Sequence, residues 1–98
     1  MGKKSGKVAK KYLISGRVQG VGFRFFAEHA ARQIGVCGYV KNRGDGKVEV
    51  YAIGDEVSHE ELKLHLAEGP RSAHVTGIEE TDEVVDKHYT TFMIEGGW

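Results

Sequence analysis

The sequence predicts an α+β sandwich, two helices laid on one face of an antiparallel sheet, and three observations carry that reading. Apolar residues recur at helical spacing in two stretches and alternate with polar ones in the stretches around them. Asp45-Gly46 stands between two runs rich in β-forming residues, a strong hairpin signal. The chain has 98 residues, enough for one domain with one modest core.

In residues 11–18, Tyr12, Ile14 and Val18 alternate with polar partners, Leu13 being the exception, and this reads as a strand. Phe23, Phe26, Ala27, Ala30 and Ile34 then repeat with the period of an amphipathic helix, which Gly35 stops. Residues 36–43 and 47–53 read as two strands joined by the Asp45-Gly46 turn. By parity Val36, Gly38, Val40 and Asn42 share one face of the first of them. Residues 57–68 read as a second helix, with Ser58-x-x-Glu61 as its capping box and Gly69-Pro70 as its stop. Leu62, Leu66 and either Val57 or His65 are expected to face the core. A strand over 74–81, an acidic loop over 82–86 and a last strand over 90–95 complete the chain. The order is β-α-β-β-α-β plus a short last strand, and the compact solution for it is a ferredoxin-like α/β sandwich. The expected division is a disordered basic tail over 1–9 and one folded domain over 10–98.

Charge is unevenly spread although the formal net charge is zero. Residues 1–47 hold 11 Lys and Arg against 2 Asp and Glu; residues 48–98 hold 3 against 12. A phosphate site in the basic half is electrostatically sensible, whereas the acidic half would repel an extended polyanion, which disfavours nucleic acid. Five lysines up to Lys11 would suit a nucleic-acid tail, but a solvated end explains them more simply. The single cysteine, Cys37, rules out an internal disulfide and supplies no metal-ligand spacing. No apolar run reaches the roughly 18–20 residues of a membrane span. A cytoplasmic, reducing setting and no membrane contact are the expectation.

The stretch that invites chemistry is Gly16-Arg17-Val18-Gln19-Gly20-Val21-Gly22-Phe23-Arg24, directly before the first helix. Its glycines let the backbone bend with positive φ and lie bare against a ligand. Successive N–H groups in such a bend form a concave anion site, and the helix adds its first-turn N–H groups and the positive end of its dipole. Arg24, on that first turn, has the planar fork that matches a phosphate edge. Two nucleotide motifs fail. No Gly-Lys-Ser/Thr follows a glycine, and G-x-G-x-x-G from Gly20 would need glycine where Phe25 stands. On the glycines alone, a flexible turn with a solvated Arg24 explains the stretch equally well. If the shared face of 36–43 meets the first helix, Asn42 projects toward the same loop, so the spacing permits Asn42 and Arg24 to converge.

G-R-V-Q-G-V-G-F-R closely resembles the signature of the acylphosphatase family, and Gly38-Tyr39-Val40-Lys41-Asn42 resembles that family's second motif, a strand ending in asparagine. The resemblance covers residues 10–95. It departs at Tyr39, where many relatives carry tryptophan, in the additional residues 1–11, and at the ending Gly96-Gly97-Trp98. It implies an enzyme that hydrolyses the carboxyl–phosphate bond of small acyl phosphates to a carboxylate and inorganic phosphate. On the same resemblance Arg24 and the backbone amides of Gln19, Gly20, Val21, Gly22, Phe23 and Arg24 hold the phosphate, and Asn42 orients the attacking water. Neither a metal nor any other cofactor is implied. The partner is a small-molecule acyl phosphate, inorganic phosphate or sulfate should inhibit, and a monomer is expected.

The chemistry agrees with those residue types. The leaving carboxylate has a conjugate acid of pKa about 4, so it departs without a general acid. The work left is to hold the phosphoryl group and align the water, for which arginine, amides and a carboxamide suffice. His29, His59, His65, His74 and His88 lack metal spacing and read as structural or surface groups. The alternative is a non-catalytic ferredoxin-like module binding RNA or a phosphorylated ligand, with Tyr39 and Tyr51 as its strand-face aromatics. A third reading is an acylphosphatase-like domain serving a larger carbamoyl-phosphate-processing protein.

Overall fold

A computed structural model describes residues 6–96. Alternation produces strands β1 (Val8–Arg17), β2 (Cys37–Asn42), β3 (Val48–Gly54), β4 (His74–Glu83) and β5 (Phe92–Ile94), and helical spacing produces α1 (Phe23–Ile34) and α2 (Glu56–Glu68). The sheet order is β4-β1-β3-β2-β5. Both helices pack on one face over a core built from Tyr12, Ile14, Phe23, Ala27, Val40, Val48, Val50, Leu62, Leu66 and Phe92. These are the inward positions of a period-two strand and the apolar stripe of a helix.

β3 is antiparallel to both β1 and β2, so β1 and β2 run in the same direction and finish at one end of the sheet. β5 lies parallel to β2 at the sheet's edge, which makes the sheet mixed rather than wholly antiparallel as the element order suggests. The reason lies in the connection. After β4, residues 84–91 cross the helix-free face, where the Tyr51 hydroxyl donates to Val84 O at 2.6 Å and accepts from Asp86 N at 2.9 Å. The chain therefore arrives at the far edge already pointing along β2.

Several boundaries differ from the sequence reading. β1 begins at Val8, and Ala9 is buried against Tyr51 and Ile53, so the ordered domain starts before residue 10. Of the stretch 1–9 for which disorder is expected, residues 1–5 lie outside the described residues, as do 97–98. β4 extends to Glu83 because Lys10 of β1 draws the acidic segment into pairing, with ion pairs to Glu80 at 3.1 Å and Asp82 at 3.2 Å. The basic and acidic halves of the chain thus meet across one strand pair. α2 is capped by Asp55, whose carboxylate accepts from Ser58 N at 2.8 Å, so Ser58 is not the cap and the Ser58–Glu61 box does not form.

Neither Val57 nor His65 joins Leu62 and Leu66 in the core; His59 does. Its Nε2 lies 2.9 Å from Val8 O, a carbonyl that can only accept, so Nε2 carries the proton and Nδ1 accepts the Tyr12 hydroxyl at 2.8 Å. A satisfied imidazole can be buried where an unpaired one could not.

Candidate active site

β1 ends at Arg17, and the chain turns through residues 18–22 into α1. Gly20 and Gly22 take φ of 74° and 79°, the left-handed region that glycine enters without strain, and these two residues shape the bend. Gly16 serves something else. It sits at the β1–β4 bulge, where an added Cβ would lie 2.1 Å from His74 O. That glycine is required by strand packing and takes no part in the loop.

Gly22 is the N-cap of α1; no side chain caps this end and no acidic residue stands in its first turn. The helical ladder starts with Phe26 N donating to Gly22 O at 3.1 Å, so the preceding amides lie outside it. α2, by contrast, has the Asp55 cap and Glu56 in its first turn. One helix has filled its positive end with carboxylate; the other leaves it open to an anion.

A cavity of about 90 Å³ opens at that end, lined by Val18, Gly20, Gly22, Phe23, Arg24, Phe25 and Asn42. At about 30 Å³ per water it has the room of roughly three waters, which suits a phosphoryl group with an attacking water. Topology explains the meeting. β1, β2 and β5 share a direction, so the loop after β1, Asn42 at the end of β2 and Gly96 beyond β5 all reach one end of the sheet. Arg24 Nη1 lies 3.5 Å from Gly96 O, a long contact and, among the described residues, the guanidinium's one hydrogen bond.

The sequence-predicted residues divide as follows. Gly20, Gly22, Phe23, Arg24 and Asn42 line the cavity together. Val21 packs partly against the core, and the Gln19 side chain turns away to the β2–β3 hairpin, donating to Arg43 O at 2.7 Å and Lys47 O at 2.9 Å. Phe25, which the sequence reading does not assign to the site, is 70 % exposed on the cavity. The available signal was an apolar ring next to Arg24 in sequence and outside the stripe set by Phe23, Ala27 and Ala30.

A larger hollow of about 500 Å³ lies on the helix-free face, lined by Tyr39, Tyr51, Tyr89, Lys11 and residues 83–87. It does not offer the stacking platform that RNA binding would need. Tyr39 and Tyr51 stack on each other at 5.5 Å, Tyr89 packs against both rings, and Glu83 and Asp86 stand on the rim. The Tyr39 hydroxyl donates to the buried carboxylate of Glu49, which Arg43 also grips at 2.8 Å. Burial alone would raise the Glu49 carboxyl. The Tyr39 and Arg43 hydrogen bonds more than offset it and hold its pKa below the ordinary glutamate value.

Among the described residues no group of three or more His, Cys, Asp and Glu side chains is placed to hold a metal ion, and no helix is long and apolar enough to cross a membrane.

Comparison with known proteins agrees with this geometry. The Acylphosphatase family model matches residues 10–94. An acylphosphatase of Koribacter versatilis is 47 % identical over 91 % of this chain and 81 % of its own length. The crystal structure of acylphosphatase from Bacillus subtilis superposes with a TM-score of 0.86 at 34 % identity, covering 91 % of this chain and 99 % of that one. Full-length HypF, in a phosphate- and nucleotide-bound form, matches with a TM-score of 0.83 at 28 % identity, but over 13 % of its length against 98 % of this chain. Fold, cavity and sequence agree: this chain is a member of the acylphosphatase family of hydrolases.

Proposed function

We propose that the protein hydrolyses small acyl phosphates at the cavity between the 18–22 loop and Asn42, releasing a carboxylate and inorganic phosphate. One observation carries the reading: among the described residues, a helix N-terminus with no side-chain cap and no acid in its first turn, an arginine on that turn and a strand-end carboxamide surround a phosphate-sized space. The amides of residues 19–24 and the Arg24 fork hold the phosphoryl oxygens and take up charge as the carboxylate leaves. Asn42 accepts a hydrogen bond from the water and aligns it for in-line attack. The departing proton passes to the phosphoryl group itself, since among the described residues neither a carboxylate nor an imidazole lines the cavity. Phe25 gives the acyl chain an apolar surface beside the reacting bond.

Amides, a guanidinium and a carboxamide are anion ligands and a poor donor set for a divalent cation, which supports turnover without a metal. Inorganic phosphate or sulfate should occupy the same space as an inhibitor. A monomer acting in the cytoplasm completes the reading, supported by an unpaired thiol at Cys37.

The test is hydrolysis of benzoyl phosphate and acetyl phosphate by the purified protein, with and without EDTA. Turnover of both, unchanged by the chelator, is expected. Absence of turnover would refute the reaction, and activity lost in EDTA and restored by a divalent ion would refute the metal-free mechanism.

A further inference from the structure

A site assembled from two elements works only if something fixes the distance between them. Here the phosphate loop belongs to the β1–α1 turn, and Asn42 belongs to the end of β2. Between them stands one side chain. Gln19 Nε2 donates to Arg43 O at 2.7 Å and to Lys47 O at 2.9 Å. Both acceptors are carbonyls, so the group facing them must be a nitrogen bearing two hydrogens, which assigns the amide's orientation.

The two carbonyls are well chosen for the purpose. Arg43 follows Asn42 directly, and Lys47 precedes Val48, the residue that pairs with Asn42 across the sheet. Lys47 O also accepts Arg43 N at 2.8 Å, closing the hairpin. On its other side the hairpin is anchored by the Arg43 guanidinium, which bonds buried Glu49 at 2.8 Å and Asp45 at 3.2 Å. The hairpin is therefore stiff, and Gln19 is the link that passes its position to the loop.

We infer that the Gln19 side chain is a positioning residue that sets the register of Asn42 against the phosphate loop. The inference rests on the proposed reaction. Gly20 and Gly22 set the curvature of the loop, so the phosphate grip survives loss of this side chain. What is lost is the placement of Asn42, and a misplacement of about 1 Å can cost roughly 10²-fold in rate. The effect should therefore fall on kcat and leave phosphate affinity nearly intact.

The experiment is a double-mutant cycle between Gln19→Met, a near-isostere without donors, and Asn42→Ala. Gln19→Met should lower kcat about 10- to 100-fold in the parent, change the phosphate Ki less than about threefold, and cost little further in the Asn42→Ala background. A folded Gln19→Met protein with parental kcat would overturn the inference. So would losses that multiply independently in the double variant, because Gln19 would then not act through Asn42. Gln19→Asn, which keeps the amide but shortens the reach, replaces methionine in the cycle if Gln19→Met does not fold. Amide hydrogen exchange gives a readout free of turnover. Exchange at Arg43 N should quicken in Gln19→Met, and an unchanged rate there overturns the tie even if the reaction itself proves to be different.

Discussion

Arg24→Lys and Asn42→Ala should damage the enzyme in different ways, and the difference follows from where the two side chains stand. Arg24 rises from the first turn of α1, and among the described residues its guanidinium makes one long contact, to Gly96 O at 3.5 Å, which leaves donors for two phosphoryl oxygens. Lysine keeps the charge and loses the fork. A hydrogen bond to a charged group is worth about 1.5–3 kcal/mol, so the loss of one corresponds to roughly 10- to 150-fold in kcat/KM. The phosphate Ki should weaken with it, because the same fork grips the ground state. Asn42 lines the cavity from the strand end and, in the proposed reaction, contacts the water rather than the phosphate. Asn42→Ala should lower kcat about 10²-fold while the phosphate Ki stays within about threefold of the parent. Asn42→Asp adds a negative charge beside the phosphate and should weaken both. The assay is steady-state hydrolysis of benzoyl phosphate with phosphate as inhibitor, each variant first checked by its melting curve. A folded Asn42→Ala protein with parental kcat would refute the division of labour and leave only the phosphate cradle.

Phosphate at ten times its Kd should stabilise the fold by about 1.4 kcal/mol, or roughly 6 to 11 °C in Tm, and Gly22→Val should abolish the shift by straining the φ of 79° that shapes the loop; calorimetry with and without phosphate checks both. Glu49 has its pKa depressed in the folded state, so its stabilising contribution is present above the ordinary glutamate value near 4.3 and is lost as pH falls through the folded value. The stability gap between the parent and Glu49→Gln should therefore be widest near neutrality and narrow between about pH 5 and 3, as denaturant titrations would show. Tyr12→Phe strands the buried Nδ1 of His59 and should cost about 1–3 kcal/mol in chemical denaturation without changing kcat, since neither residue lines the cavity.

Much of this architecture was legible in the sequence, and what escaped shares one physical character. Strands, helices and the Asp45-Gly46 turn are local, set by periodicity and turn chemistry, and they stand close to where the sequence puts them. The capping of α2 was misread because Asp55 and Ser58 are both acceptable caps, and only the entry angle of the chain decides between them. The placement of β5 was not readable at all. Its pairing partner is set by a segment that crosses the open face through tyrosine hydroxyls and Tyr89 packing, contacts that no local pattern encodes. His59 was read as a structural or surface group without being placed in the core for the same reason: its burial depends on Tyr12 and on Val8 O, 47 and 51 residues away.

The site obeys the same division. Arg24, Asn42 and the glycines of the loop are chemically conspicuous, and strand parity alone aims Asn42 at the helix-facing side. Their convergence is then a matter of topology, because β1 and β2 run in one direction on either side of β3 and must end together. The sequence does not distinguish the three glycines by task. Gly20 and Gly22 bend the phosphate loop, whereas Gly16 lets β4 approach β1 at a bulge. Nor does it separate the backbone of Gln19 from its side chain. The backbone belongs to the loop, but the carboxamide reaches 24 and 28 residues along the chain to the hairpin that carries Asn42. A phosphate cradle alone would bind its product as readily as its substrate. Hydrolysis also needs a water held in line with the bond that breaks, so in the proposed reaction the contact that ties the cradle to Asn42 bears on turnover as directly as the groups that would touch the phosphate.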